Sequence, residues 1–175
     1  AIQGSRRIHI EGPNGCGKSL LLAAVAGRQT QFLGTVENFV TTAYLDQHHS
    51  TLKDSETALE NYQRLAPGFT AQEYRDRLAW LRLRAQKGQQ KVASFSGGEK
   101  LKLALACELL GPETPQLLLL DEPSNHLDLD SIQALEQAIT HFEGAMIVVS
   151  HDQHFVDSLQ LTDRLHLATG DIAEI

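Results

Sequence analysis

Residues 12–19 read Gly-Pro-Asn-Gly-Cys-Gly-Lys-Ser, with four residues between the glycines at positions 12 and 17. The residues before them, Arg7–Ile10, favour a short strand, and Ser19–Ala26 favours a buried helix that ends at Gly27. Small residues between a strand and a helix allow consecutive backbone N–H groups to curve around phosphate oxygens, and the helix dipole also favours anions there. The sequence therefore predicts a phosphate-binding loop, because strand, loop and helix follow one another in the required order.

Eight residues of this loop are predicted to bind a nucleotide. They are Gly12, Pro13, Asn14, Gly15, Cys16, Gly17, Lys18 and Ser19. The Lys18 ammonium is expected to reach the β- and γ-phosphates, and the Ser19 hydroxyl is expected to bind Mg²⁺. A nucleoside triphosphate with Mg²⁺ is therefore the expected ligand.

Runs of apolar, β-branched and aromatic residues predict further strands. They are Val36–Val40, Thr42–Leu45, Gln116–Asp121, Ala145–Ser150, and a closing hairpin of Arg164–Ala168 and Asp171–Ile175 joined at Thr169-Gly170. Gln116–Asp121 and Ala145–Ser150 lack polar alternation, which is typical of parallel strands buried on both faces.

The middle of the chain has helical spacing instead. Thr70–Glu73 has the pattern of a capping box ahead of one helix, a further helix follows Gly98, and Ser131–Phe142 is amphipathic. The sequence therefore predicts an α/β fold, a P-loop NTPase with a mostly parallel core sheet and an inserted helical subdomain. We expect a single domain over residues 1–175, with the helical subdomain at about 51–110.

Three polar side chains lie at the ends of predicted strands or directly after them. Asp121 is placed to hold the Mg²⁺ shell, and Glu122 can polarise an attacking water as a general base. On its own this pair is also typical of a turn before Pro123. His151 follows Ala145–Ser150, so we expect it at the carboxyl edge of the sheet, where open α/β sheets bind ligands.

Ser96, Gly97 and Gly98 begin a predicted helix. They favour a second anion site at a helix N-terminus, outside the phosphate loop. A plain helix cap, with Ser96 as the capping residue, explains the same residues. The local sequence leaves both interpretations open.

The net charge of −7 over 175 residues argues against binding nucleic acid through the whole surface, because such proteins are usually basic. Any contact with RNA would need a local patch. The candidate residues are Arg75, Arg77, Arg82, Arg84, Lys87 and Lys91. A solvated helix face is the alternative interpretation.

The sequence also favours a cytoplasmic location. No apolar run approaches the roughly 20 residues that cross a bilayer, and the first residues do not have the pattern of a signal peptide. Cys16 and Cys107 are too few for a disulfide framework.

Taken in order, these segments resemble the nucleotide-binding cassette of the ABC ATPases over nearly the whole chain. Gly12–Ser19 resembles the Walker A loop, Gln47 the Q-loop glutamine, Ser96–Glu99 the signature motif, Leu117–Glu122 Walker B, Asn125–Asp128 the D-loop and His151 the switch histidine. The longer stretches Phe95–Ala106, Leu118–Asp128 and Ser150–Phe155 are similar to the ABC-F branch, tandem-cassette ATPases that act on the ribosome.

The resemblance implies binding of ATP and Mg²⁺ and hydrolysis of the ATP. It implies that Gln47, Asp121 and Ser19 bind the Mg²⁺ and position the water. It further implies that Glu122 is the base and that His151 contacts the γ-phosphate. Ser96, Gly97, Gly98 and Asp128 would face the ATP of a second cassette in a head-to-tail sandwich. The ribosome or RNA is the expected larger partner, and no membrane span is expected.

Some positions differ from the family pattern. Leu20 replaces a usual second hydroxyl residue, Phe95 a usual leucine and Ser124 a usual threonine. The chain starts close to the phosphate-loop strand, without the earlier strands and the adenine-stacking aromatic residue that the family has. We therefore expect it to be part of a longer protein.

Two other functions share these residues. One is the ATP-binding subunit of a membrane transporter, which has the same catalytic motifs. The other is a scaffold that dimerises on nucleotide without hydrolysing it; such a protein would need neither Glu122 nor His151.

Overall fold

The computed structural model describes residues 2–29, 33–81, 83, 85–125, 127–167 and 171–174. The chain divides into two compact units. Unit 1 contains Ala1–Gln47, Pro115–Asn125 and Ile139–Ile175, and unit 2 contains His48–Thr114 and His126–Ala138.

Unit 1 contains the sheet. In the described part of the chain, six strands pair in the order β2-β3-β4-β1-β5-β6. Their bounds are β1 Arg7–Glu11, β2 Thr42–Leu45, β3 Leu117–Asp121, β4 Ala145–Val149, β5 Asp163–His166 and β6 Asp171–Glu174. β1 to β5 pair in parallel, and β6 pairs with β5 antiparallel. The predicted mostly parallel sheet is confirmed, whereas the turn predicted at Thr169-Gly170 lies outside the described residues.

Apolar residues of strand β3 are buried on both faces of the sheet. Leu117 and Leu119 pack in one cluster with Leu22 of helix α1 (Lys18–Val25). Leu118 and Leu120 point to the opposite face and have no exposed surface, at 0% each. A strand buried on both sides needs no polar residue within it, which explains the unbroken apolar run in the sequence.

Unit 2 is mainly helical. Its helices are α2 Ala58–Leu65, α3 Ala71–Trp80, α4 Ala85–Gly88 and α5 Gly97–Leu109, with a 3₁₀ turn at Val92–Ser94 and residues 129–138 of α6 (Leu129–Thr140). A further helix, α7 Gln153–Ser158, lies in unit 1 and was not predicted.

Aromatic rings form the centre of the unit 2 core. Tyr62 and Tyr74 meet edge to face with ring centroids 5.1 Å apart, and Phe69 lies 5.4 Å from Tyr74. The Tyr62 hydroxyl donates to the Leu110 carbonyl at 3.0 Å, so the phenol group is buried with a partner. Burial raises the pKa of Tyr62 to about 12, and the nearby Arg77 guanidinium opposes that shift.

Capping boxes begin three of the described helices. In each, a hydroxyl side chain accepts the N–H of a glutamate three residues on, and that glutamate accepts the N–H of the capping residue. The pairs are Thr57 with Glu60, Thr70 with Glu73 and Ser96 with Glu99. The predicted box at Thr70–Glu73 is confirmed.

The strand predicted at Val36–Val40 is wrong. The segment is irregular, and Phe39 is 88% exposed. The Asn38 side chain accepts the Val40 N–H at 3.1 Å and donates to the Thr42 hydroxyl at 2.7 Å. This local turn replaces strand pairing, because an asparagine side chain competes with a neighbouring strand for the backbone.

None of the helices in the described ranges has both the length and the apolar character that a membrane crossing requires.

Candidate nucleotide-binding and catalytic site

Parallel pairing brings four predicted segments of unit 1 to one edge of the sheet. β2, β3, β4 and β1 are consecutive neighbours that run in the same direction. Their carboxyl ends therefore lead, side by side, into Gln47, Asp121-Glu122, His151 and the loop 12–17. Ligands of open α/β sheets bind at this edge.

The loop that follows β1 is held open by its glycines. Gly12, Gly15 and Gly17 have φ values of 148°, 80° and 99°, in a region that other residues rarely adopt. A Cβ atom built on Gly15 or Gly17 would meet nothing within 4 Å. These two glycines are therefore required for backbone conformation, and the space beside them is free for a ligand.

Lys18 places its positive charge within this loop. Its ammonium group donates to the carbonyls of Gly12 at 2.8 Å and Pro13 at 3.1 Å, and the residue is 8% exposed. An ammonium group held by carbonyl oxygens can exchange them for phosphate oxygens, which are stronger partners because they are charged.

Ser19 and Asp121 lie in direct contact. The Ser19 hydroxyl donates to Asp121 Oδ1 at 3.0 Å, and the Tyr44 hydroxyl donates to Oδ2 at 3.4 Å. Burial raises the pKa of the Asp121 carboxyl, and the bonds from Ser19 and Tyr44 oppose that shift. The pKa of Tyr44 is raised too, first by burial and then by the charge of Asp121.

Glu122 and His151 also lie in contact. Glu122 Oε1 is 3.4 Å from His151 Nε2, and Oε2 accepts the His151 backbone N–H at 3.2 Å. The Glu122 backbone has a φ of 50° and donates its N–H to the Val149 carbonyl at 2.8 Å. This left-handed conformation is unusual for glutamate and is typical of functional sites.

Gln47 lies at the same edge, two residues beyond β2, with an exposed side chain. The register pairs Leu45 with Leu120, so Asp46 comes opposite Asp121, and its charge contributes to the raised pKa of Asp121. Arg28 lies 3.6 Å from the Asp46 carboxylate and 4.9 Å from the centre of the Tyr44 ring.

Ser96, Gly97 and Gly98 belong to unit 2, at the start of the 13-residue helix α5. The Ser96 hydroxyl accepts the Glu99 N–H at 3.2 Å. This hydrogen bond directly supports the interpretation of Ser96 as a helix cap. A Cβ atom on Gly98 would come within 1.9 Å of Ser131 Oγ. Gly98 is therefore required for close packing within unit 2.

Asp128 also caps a helix. Its carboxylate accepts the Ser131 N–H at 2.9 Å near the start of α6. Hydrogen bonds from Ser131 lower the pKa of Asp128. His126, in the predicted D-loop, lies outside the described residues.

The structure therefore brings the unit 1 site residues together in pairs, Ser19 with Asp121 and Glu122 with His151. Sequence reasoning missed Tyr44, because an aromatic residue in a strand is an ordinary core residue. The signal that could have found it is its position three residues before Gln47, near the end of a strand adjacent to β3.

The residues present fit ATP and Mg²⁺. The glycine loop leaves open space beside its backbone, and Lys18 provides a positive charge there. The Ser19 hydroxyl and the Asp121 carboxylate are hard oxygen donors already in contact, the ligand type that Mg²⁺ prefers. Mg²⁺ keeps several waters, so two protein oxygens suffice beside phosphate.

Fold and site together define a phosphate-loop nucleotide-binding protein. The family model described as ABC transporter matches residues 1–125. The chain belongs to this family and is an ABC ATPase cassette.

Curated relatives place it near the ABC-F branch. A probable ATP-binding protein YheS of Haemophilus influenzae is 48% identical over 158 residues, which is 89% of this chain and 24% of the relative. ABC transporter F family member 5 of Arabidopsis thaliana is 37% identical over 163 residues, 91% of this chain and 23% of the relative. ATP-binding cassette sub-family F member 3 of Mus musculus is 37% identical over 153 residues, which is 86% of this chain and 21% of the relative. The chain thus spans about a quarter of the length of these relatives.

Solved structures agree on the fold. A structure of RNase-L Inhibitor has a TM-score of 0.73 and 28% identity, over 94% of this chain and 32% of that chain. A dimeric post-hydrolysis structure of the cassette MJ0796 has a TM-score of 0.75 and 21% identity, over 99% of this chain and 87% of that chain. At this identity it supports the fold alone.

Tyr44→Phe tests the contact with Asp121. Removing the hydroxyl takes one donor from a buried carboxylate, so we expect the Mg²⁺ concentration that half-saturates ATP binding to rise about threefold. Titration of a fluorescent ATP analogue with Mg²⁺ measures this value. Binding in EDTA should not change, and Tyr74→Phe, which removes a hydroxyl bonded to the Ala66 carbonyl at 2.8 Å in unit 2, should have no effect on the titration. An unchanged Mg²⁺ requirement would contradict the role of Tyr44.

Gly98→Ala tests the close packing in unit 2. The added methyl would overlap Ser131, so we expect a loss of about 1–3 kcal/mol in the free energy of unfolding. Urea denaturation followed by circular dichroism measures it. In a Ser131→Gly background the same Gly98→Ala change should cost less unfolding free energy, because the obstructing side chain is gone. An equal loss in both backgrounds would show that Ser131 is not the obstacle.

Proposed function

We propose that this cassette binds ATP with Mg²⁺ and hydrolyses the γ-phosphate bond, with Glu122 as the general base. The contact of Glu122 with His151, at the strand ends beside Ser19 and Asp121, is the observation that supports it most directly. A protein that only bound nucleotide would need neither side chain.

The loop 12–17 and Lys18 bind and orient the phosphates. Ser19, Asp121 and Gln47 hold Mg²⁺ and its waters, and the bound ion supplies positive charge to the phosphate oxygens. Glu122 takes the proton of the attacking water, and His151 donates toward the γ-phosphate. Glu122 Oε1 and His151 Nε2 lie 3.4 Å apart in the structure, so each side chain occupies the other's polar atom. They must separate partly before Glu122 can contact the water and His151 the phosphate.

A second cassette completes the site in this proposal. Ser96, Gly97, Gly98 and Asp128 would bind the nucleotide held by the partner, in a head-to-tail sandwich. Helix α5 has 13 residues, long enough for its dipole to favour an anion at Ser96. The solved neighbour MJ0796 is a dimeric cassette bound to ADP and Pi.

The larger partner is the ribosome in this proposal, and the protein acts in the cytoplasm. Support comes from the relatives named in sub-family F and from a solved neighbour that is an archaeal ribosome recycling factor in complex with a ribosomal stalk protein. The basic residues that were candidates for an RNA contact support this partner less than their number suggests, because two of them have contacts within the protein. Arg77 donates to the Leu110 carbonyl and Lys87 pairs with Glu99 at 2.7 Å, while Arg82 and Arg84 lie outside the described residues.

Glu122→Gln tests the base. The amide keeps an oxygen that can accept the His151 N–H but cannot take a proton from water. We expect turnover to fall at least about 100-fold while ATP affinity stays within about twofold. Phosphate release and equilibrium ATP binding, on the protein at its natural length, measure the two quantities.

The matched control for this variant is Glu73→Gln. Glu73 also accepts a backbone N–H, that of Thr70 at 2.7 Å, but at a helix start in unit 2. Its turnover should equal that of the unmodified protein. Full turnover in Glu122→Gln would remove Glu122 as the base.

Co-sedimentation tests the partner. Because Glu122→Gln should retain ATP and the closed form, we expect at least about fivefold more of this variant to pellet with ribosomes in ATP than without nucleotide. Membrane vesicles serve as the parallel arm. Binding to vesicles with none to ribosomes would contradict the ABC-F function and favour a transporter subunit.

A further inference from the structure

His9 is a buried polar residue in the middle of β1, outside the predicted site. It is 6% exposed, and its Nε2 lies 3.1 Å from the Ser150 carbonyl oxygen. A carbonyl oxygen can only accept a hydrogen bond, so Nε2 must carry the proton and donate. The β1–β4 pairing, with His9 opposite Val148, places this side chain next to the end of β4.

The carbonyl that His9 contacts belongs to the peptide group between Ser150 and His151. The N–H of that same peptide group donates to Glu122 Oε2 at 3.2 Å. One peptide group is therefore held at both ends, by a buried imidazole on its oxygen and by the Glu122 carboxylate on its nitrogen. Donation into the carbonyl polarises the peptide and strengthens its N–H as a donor.

Further contacts surround the imidazole and hold the segment next to it. His9 Nδ1 lies 3.2 Å from Glu11 Oε1, although without the alignment of a hydrogen bond. The Ser150 hydroxyl oxygen accepts the Asp152 N–H at 3.1 Å. The Glu122 backbone is in a left-handed conformation, which persists only when surrounding contacts hold it.

We propose that His9 is a positioning residue for Glu122. It orients the Ser150–His151 peptide group, and through the N–H of that group it directs the Glu122 carboxylate. This inference rests on the proposed function, in which Glu122 is the base. His9 does not itself touch the nucleotide or the attacking water.

Hydrogen exchange of the His151 amide tests the inference without nucleotide. In His9→Leu the peptide carbonyl loses its donor, and we expect the amide to exchange about three to ten times faster, as for loss of one hydrogen bond. His9→Gln places an amide N–H near the position of Nε2, so it should restore slow exchange. Nuclear magnetic resonance of the protein at its natural length measures the rate.

Arg7→Met is the matched control. Arg7 lies two residues away on the same side of β1 and also donates to backbone carbonyls, those of Leu159 and Phe142, each at 2.8 Å. Its loss should lower the melting temperature without changing exchange at His151. Equal acceleration in Arg7→Met and His9→Leu would overturn the inference, as would unchanged exchange in His9→Leu or failure of His9→Gln to restore it.

Steady-state kinetics and equilibrium ATP binding give a second readout. For His9→Leu we expect kcat to fall about tenfold with the ATP dissociation constant unchanged, because a misdirected base slows the chemical step and leaves binding intact. A loss of ATP affinity with kcat unchanged would overturn the positioning role. If the unmodified protein does not hydrolyse ATP, the proposed function fails, and the exchange experiment still decides whether His9 orients the peptide group.

Discussion

Parallel pairing of β2, β3, β4 and β1 is the constraint on which the rest of unit 1 depends. Parallel neighbours end at the same edge, so residues far apart in sequence become adjacent there. The same pairing requires apolar cover on both faces, which β3 meets with buried leucines along its length. Polar groups are consequently confined to the strand ends, where Asp121 and Glu122 stand, and to the few buried positions that have a partner.

Burial at this edge has a cost that local contacts offset. A buried carboxylate such as Asp121 loses hydration, which raises its pKa and favours the neutral form. Donors on both oxygens, from Ser19 and Tyr44, favour the charged form that Mg²⁺ requires. The residues of the proposed site are therefore already in contact without nucleotide, and the Lys18 ammonium is bonded to the loop carbonyls of Gly12 and Pro13.

Sequence reasoning identified the elements whose physical signal is local. Continuous apolar runs predicted β3 and β4, and the glycine spacing predicted the loop before α1. It failed at Val36–Val40, where one asparagine side chain outweighs strand propensity. Sequence reasoning also could not predict the contacts of Tyr44 and His9, because strand register decides which distant atom faces each side chain. The requirement for glycine at position 98 could not be predicted for the same cause, because the atom that excludes a side chain there belongs to Ser131, 33 positions away.

The two interpretations of Ser96 are compatible in the structure. A capping box uses the Ser96 N–H and the Glu99 N–H, the third of the helix. The N–H groups of Gly97 and Gly98 come first in the helix and have no intrahelical acceptor. The box therefore fixes the helix start and does not use those two donors, which are the groups that would bind an anion in the proposed function. Lys87 pairs with the Glu99 carboxylate at 2.7 Å, which offsets the negative charge that would otherwise repel such an anion. In the proposed function the cap and the signature motif use the same residues. Ser96 and Glu99 stabilise the helix start, and the N–H groups of Gly97 and Gly98 would bind the anion.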